Sequence, residues 1–375
     1  MYRQVLVHEQ HRKFQRILFR KSGSEPLKEI ELKTVTYGTS AAPFLATRSL
    51  NQLADDESDA FPKASAAVKK SFYIDNILTG ANTLDEAVSL QKDLIALLLR
   101  GGFGLHKWCA NHPRLLEGIP TEAQEKQMHF EDSAINGVIK TLGLYWVPTE
   151  DQIMFRVLPM DEGFRKPTKR QVLSETAKIF DPLGLLAPTV VIPKLLMQHL
   201  WKDKQEWDEQ IPDELQHIWN RFRSELPQIG TEKIDRRVTT DDAVKLQLHG
   251  FADASGVAYG CCVYMRNVKE DGSADIKLIC GKSRVAPMKE LQRNVKPEAK
   301  PAEMTIPRLE LCAALLLARQ MKAVCDALDM KSDQVVLAMV RLQNRALLAA
   351  TTEGRMWQNV PNHVMKIHQL QPDAN

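Results

Sequence analysis

Two carboxylates stand where a folded chain rarely tolerates them. The run His249-Gly250-Phe251-Ala252-Asp253-Ala254-Ser255 reads as a strand with an acid near its end. About fifty residues on, Thr305-Ile306-Pro307-Arg308-Leu309-Glu310-Leu311 opens a helix. Ala313, Ala314, Leu317, Met321 and Val324 fall on the same side of that helix as Glu310, at helical spacing. Burying an acid beside leucines costs several kcal/mol unless something pairs with it. A divalent cation held between Asp253 and Glu310 accounts for an acid in that position, and two-metal phosphodiester chemistry uses such an arrangement.

At 375 residues the chain has room for two or three domains. With 44% hydrophobic and 26% charged residues it is ordinary globular protein, so wholesale disorder is not expected. A formal charge of +3 permits a nucleic-acid partner without requiring one. Cys109, Cys261, Cys262, Cys280, Cys312 and Cys325 include no C-x-x-C spacing. Reduced, buried thiols in a cytoplasmic protein are the expectation. No apolar run approaches the roughly 20 residues that cross a bilayer, so no membrane partner is expected.

Along the chain, Tyr2 to His8 is strand-like, and residues 41–54 have helical spacing after the turn Tyr37-Gly38-Thr39-Ser40. Residues 71–80 read as a hairpin with Asp75-Asn76 at its tip. Thr83 and Glu86 make a capping box for a helix that Gly101-Gly102 ends, and Phe103 to Trp108 follows as a strand. A second hairpin turns through Pro148 to Asp151. Helices over 168–179 and 192–201 lie either side of Asp181-Pro182 and Pro188, with Trp201, Trp207 and Trp219 as core between them. Polar residues 227–245 read as a linker. Strands over 246–253, 257–266 and 276–282, a helix over 307–328, a strand over 334–340 and a helix over 341–353 then indicate an α/β layer fold.

Several strings together resemble the pol polyprotein of a BEL/Pao-type long-terminal-repeat retrotransposon. They are Thr34 to Thr39, Phe72-Tyr73-Ile74-Asp75-Asn76, Gly101-Gly102-Phe103 through Lys107-Trp108, and Ile179-Phe180-Asp181-Pro182-Leu183-Gly184-Leu185. Lys282-Ser283-Arg284-Val285-Ala286-Pro287 and Thr305 to Leu311 complete the ordered set. The resemblance implies an α+β reverse-transcriptase palm remnant over 1–160 and a helical thumb or connection with linker over 161–240. An α/β ribonuclease H-like domain over 241–375 follows, with the palm cut short at its start and the last domain at its end. The block 168–201 is named a retrotransposon peptidase in that family. A retroviral-type aspartic protease needs a D-[ST]-G loop so that two acids share a proton. The nearest match, Asp132-Ser133-Ala134, lacks the glycine, and peptidase activity is not expected.

The resemblance also implies roles. Nucleotidyl transfer uses carboxylates that hold two Mg²⁺ ions. Of the family's tyrosine-x-Asp-Asp turn, Tyr73 and Asp75 match while Asn76 replaces the second acid, which halves the local negative charge. One further metal-binding aspartate lies ahead of the stretch matching Met1-Tyr2-Arg3-Gln4. By matching position Gly38 shapes the template–nucleotide pocket and Lys107 is the cation near the leaving phosphate. In the ribonuclease H part Asp253 and Glu310 match the first two of four metal-holding acids. The third falls at Val340 if Val335-Val336-Leu337 is the fourth strand. The rival candidate, Asp333, precedes that strand and stands roughly seven residues, or about 23 Å at ~3.3 Å per residue, from the junction where the acid belongs. For the fourth only Asp373 is available.

The reading from sequence is therefore a pol fragment, reverse transcriptase with ribonuclease H ancestry, whose metal sites for Mg²⁺ have lost ligands and whose activity has lapsed. RNA, DNA, their hybrid and the rest of a pol polyprotein are the expected partners, in the cytoplasm or a virus-like particle. The competing reading is a non-enzymatic nucleic-acid-binding or protein-interaction remnant of a degenerate or host-repurposed element.

Overall fold

Small residues at four-residue intervals explain how the first helices of this chain approach one another. The computed structural model describes residues 1–126, 128–129, 136–141, 143–156, 167–287, 305–330 and 334–339. The chain forms two units, Met1–Leu142 with Val147–Glu150, and Gly143–Trp146 with Asp151–Asn375.

In the first unit a short helix α1 (Glu9–Arg12) precedes an antiparallel ribbon, β1 (Arg16–Phe19) and β2 (Lys28–Glu31). Helices α2 (Ala42–Asp56) and α3 (Pro62–Ser71) follow. Ala42, Ala46, Leu50 and Ala54 line the buried side of α2, and Ala64 and Val68 that of α3. With so little side chain between them, the helices meet closely. The two-residue strands β3 (Phe72–Tyr73) and β4 (Asn76–Ile77) form the hairpin, whose Phe72 and Ile77 rest on the same core. Helix α4 (Leu84–Arg100) closes it with Leu94, Leu97 and Leu98, each worth roughly 1.5–3 kcal/mol when fully buried. Thr83 caps α4 by accepting the Glu86 N–H, and Gly102 leaves it at φ +74°. Strands β5 (Met128–His129) and β6 (Asn136–Thr141) pair antiparallel.

Three readings of this unit are corrected. Tyr2 to His8 is a 3₁₀ turn, Tyr2–Gln4, followed by a single bridge from Leu6 to Thr34. The chain there lacks a continuous partner strand. Phe103 to Trp108 is not a strand; only Trp108 bridges, to Gln124, and Lys107 at φ +60° breaks the extended path. At the hairpin, Tyr73 pairs with Asn76, so the tip is Ile74-Asp75, with Ile74 at φ +56°.

The second unit contains most of the strand β7 (Leu144–Val147) and all of β8 (Gln152–Met154), neighbours across the turn read at 148–151. Then come α5 (Lys169–Ala177), α6 (Ala187–Lys202) and α7 (Asp213–Glu225). Thr168 and Gln171 make a full capping box at α5. Pro188 sits in the first turn of α6, which therefore starts earlier than the expected Ile192. Val172, Leu196, Met197, Leu200, Ile211, Trp219, Phe222 and Leu226 form their core. Of the three tryptophans only Trp219 is core; Trp201 is 48% exposed. Nor is 227–245 a free linker. It contains strand β9 (Lys233–Asp235), paired with β8, and Arg236 grips Asp151 with two bonds of 2.6 and 2.9 Å.

The last layer is a four-stranded sheet in the order β12-β11-β10-β13. β10 (Lys245–Ala254), β11 (Ala258–Val268) and β12 (Ala274–Val285) are antiparallel neighbours. Helix α8 (Ile306–Leu328) crosses back, so that β13 (Val335–Met339) lies parallel to β10. Period-two alternation turns Leu248, Ala252 and Ala254 of β10 and Cys261, Val263 and Met265 of β11 into the core with Leu309, Ala313, Leu317, Met321 and Val324 of α8. Gly250 is tight because a Cβ there would stand 2.8 Å from Leu317 and 2.9 Å from Met321. The expected helix over 341–353 lies outside the described residues. Among the described residues no helix is long and apolar enough to cross a membrane.

Candidate functional site

The topology brings Asp253 and Glu310 to one end of the sheet. β13 starts with Val335 opposite Leu248, so the chain leaves α8 at the Leu248 end of β10 and α8 begins at the Asp253 end. Gly250 packs against Leu317 and Met321. From Gly250 to Asp253 is three strand steps, about 10 Å, and from Leu317 back to Glu310 is seven helical steps, also about 10 Å. Glu310 is 5% exposed in the second turn of α8. Asp253 is exposed at the strand end, and its Oδ1 accepts the Ala254 N–H at 2.8 Å. Its neighbours Ala252 and Ala254 turn into the core, so alternation directs Asp253 away from that core. One acid is thus held by packing and the other by the end of a long strand.

The donor set suits a hard cation in part. Mg²⁺ is commonly held by one or two carboxylates, the remaining positions going to water and substrate phosphate. Among the described residues no three His, Cys, Asp or Glu side chains gather as a metal cage. Val340, Asp333 and Asp373 lie outside the described residues; Met339, the last described residue of β13, pairs with Ala252. The thiols on this layer are not ligands in waiting. Burial pushes Cys261 up to about 12 and Cys280 up to about 11, which keeps both protonated.

The other candidates occupy the first unit. Asp75 is exposed at the hairpin tip, with the Asn76 amide donating to its Oδ1 at 3.4 Å. Tyr73 is 62% exposed. Gly38 takes φ +89° in an open turn that only glycine enters freely. Lys107 has its Nζ 3.9 Å from Glu125. Two other basic residues of the chain already have partners: Lys69 pairs with Asp55 at 2.6 Å and Arg170 with Asp208 at 2.7 Å. Asp132-Ser133-Ala134 lies outside the described residues.

Two features escaped the sequence reading. Lys169 is only 3% exposed, its Nζ 3.8 Å from the centre of the Trp201 ring, 5.0 Å from that of Trp207, and donating to the Gln205 carbonyl at 3.0 Å. The Trp201 and Trp207 rings meet edge to face at 5.4 Å. A lysine at a helix start beside distant tryptophans gives no local signal of this. His249 points away from α8, and its Nε2 is buried without a hydrogen-bond partner. Burial, and then the Arg266 charge, hold the imidazole below its ordinary range.

Three antiparallel strands, a long crossover helix and a parallel fourth strand define a ribonuclease H-like layer. The family comparison gives the same answer: residues 168–339 match the Pao retrotransposon-like RNaseH-like domain. Over these residues the chain is similar to that domain, and the resemblance to a Pao-type pol protein holds. The description as RNaseH-like covers α5 to α7 as well as the sheet. No curated protein matches the sequence. Among solved structures, the foamy viral protease-reverse transcriptase dRH in complex with double-stranded DNA is 14% identical, with 98% of this chain and 53% of that one covered at a TM-score of 0.49. The foamy viral protease-reverse transcriptase in complex with double-stranded DNA is 14% identical, with coverages of 98% and 63% and a TM-score of 0.45. The chain thus spans between half and two thirds of the length of these structures.

Proposed function

We propose that this chain is a pol fragment that binds RNA, DNA or their hybrid through its ribonuclease H-like domain, with a reverse-transcriptase palm remnant in its first unit and lapsed catalysis in both. The observation that carries the reading is the placement of buried Glu310 at the Asp253 end of β10, on a Pao-type ribonuclease H-like layer. An acid at that place on α8 suits phosphodiester chemistry, in which carboxylates hold a divalent cation.

Asp253 would hold the divalent cation at the strand end, and Glu310, at the same end of the sheet, would join it by turning out of the core. When bound, such an ion polarises a phosphodiester oxygen and lowers the pKa of a water. Asp253 presents its carboxylate at the exposed strand end, and Glu310 contributes a negative charge from the helix. Two carboxylates are too few to grip a pair of dications tightly. At the hairpin the same argument is sharper, since Asn76 supplies an amide where an acid belongs.

The test is a Mg²⁺ and Mn²⁺ titration of the full chain with a labelled RNA–DNA hybrid, wild type against Asp253→Asn. Salt-sensitive binding with no cleavage in either protein is expected. Cleavage by the wild type that disappears in Asp253→Asn would overturn the lapsed-catalysis part. Absence of binding would overturn the nucleic-acid part.

A further inference from the structure

A basic cluster on the outer edge of the sheet has no role in the chemistry above. Lys282 and Arg284 stand two residues apart on β12, hence on one face of the strand and roughly 7 Å apart along it. Lys194 comes from α6, which is fastened to this edge. The Gly281 N–H donates to the Leu183 carbonyl at 2.9 Å, Ser283 Oγ to the Ala187 carbonyl at 3.0 Å, and Gln198 Nε2 to the Ala286 carbonyl at 2.5 Å. Lys194 Nζ itself lies 3.4 Å from the Ser283 carbonyl. Gly184 passes so close, at φ +70°, that a Cβ would overlap the Gly281 carbonyl. The three cations are therefore brought together by a rigid joint.

That proximity has an electrostatic cost. Lys194 is held below the ordinary lysine range by burial; the Asp181 charge opposes this, and the smaller influences of Lys282 and Arg284 add to it. Asp181 offsets part of that repulsion, while its two oxygens also accept the Leu185 and Leu186 N–H groups, each at 2.9 Å. Among the described residues none of the three cations has a salt bridge. Gathering like charges on a rigid edge is unfavourable for the free protein and favourable once a polyanion lies across them.

Register places the cluster at the Asp253 end of the sheet, with Ser283 on the face of Asp253 and with Lys282 and Arg284, which pair with Cys261 and Tyr259, on the face of α8. Ser283 is opposite Gly260, and Gly260 is opposite Asp253, so Asp253 lies two strand spacings away, about 10 Å. We propose that Lys194, Lys282 and Arg284 form a seat for the phosphate backbone of a nucleic-acid strand, which they hold alongside the Asp253 end of the sheet. This rests on the nucleic-acid reading and adds the surface that does the holding. Two cations in line along a strand with a third beside them suit a repeating phosphodiester better than a single anion.

The experiment measures anisotropy of a labelled RNA–DNA hybrid with the full chain across a KCl series. Each lost phosphate contact lowers the slope of log K against log salt by about 0.9 on a duplex. The triple variant K194Q/K282Q/R284Q is expected to flatten the slope by about 2–3. Control K245Q/R319Q/K322Q, which removes as many charges elsewhere on the same layer, is expected to keep the wild-type slope. Charge-preserving K194R/K282R/R284K is expected to restore binding. If the triple variant does not melt like wild type, Arg284→Gln alone carries the test, with a slope change of about 1.

A wild-type slope in the neutralised variant, or equal flattening in the control, overturns the seat while leaving nucleic-acid binding intact. No salt-dependent binding by the wild type overturns both. Inorganic phosphate that displaces the hybrid beyond the effect of matched KCl would make this a single-anion pocket and would also overturn the proposal.

Discussion

The two candidate acid sites are built on opposite principles. Asp253 and Glu310 sit on strands of 10 to 12 residues and a helix of 23 residues, locked by a shared apolar core. Asp75 sits at the tip of a hairpin whose strands have two residues each and whose turn residues are exposed. Asn76, beside the tip on β4, is exposed, so exchanging an acid and an amide there disturbs no packing. Removing Glu310's surroundings would dismantle the layer. The scaffold in the second unit is therefore maintained by packing whether or not its chemistry is used, while no buried side chain depends on the identity of the exposed tip residues.

That contrast predicts a graded set of mutational effects. Met321→Ala, which empties a fully buried position under the sheet, should destabilise the second unit by about 2–5 kcal/mol in urea unfolding. A loss well under that would mean the helix is held elsewhere. Gly184→Ala adds a Cβ against backbone in a left-handed conformation and should cost roughly 1–3 kcal/mol, with the same measurement. Asn76→Asp should leave stability within roughly 0.5 kcal/mol while increasing heat released on Mn²⁺ titration. A large stability change there would erase the distinction between tip and scaffold.

The smallest expected effect concerns His249. Its imidazole titrates below the value of 6.5 that it would have when unfolded, so the unfolded chain binds the extra proton first. Its contribution to stability is complete above that value and is lost as pH falls from there toward the folded-state value. His249→Gln should shrink the fall in Tm between about pH 7.5 and about pH 5.5. An unchanged profile would place the pH dependence in other groups.

Much of this was legible in advance. Glycines after α4, the Thr83 cap and the alternation of β10 to β12 are local signals, and each produced the expected element. The misreadings share a cause. Phe103 to Trp108 has strand composition but no partner to complete a ladder. Residues 227–245 look like a linker until Arg236 meets Asp151, 85 residues away. Trp201 and Trp207 look like core until Lys169 is found between them and helix α7 has turned Trp219 inward instead.

Periodicity and spacing fix which stretches become strands or helices and where an acid falls on an apolar side, because those depend on neighbours within a few residues. They determined the ribonuclease H-like order of elements and the positions of Asp253, Glu310 and Asp75. Which charges come together depends on register between strands and on helices docking from far along the chain. Only the tertiary structure could set Lys194 beside Lys282 and Arg284, bury Lys169, and turn Asp253 outward while Glu310 stays inside, since burial and Coulomb energies act through space and not along the sequence.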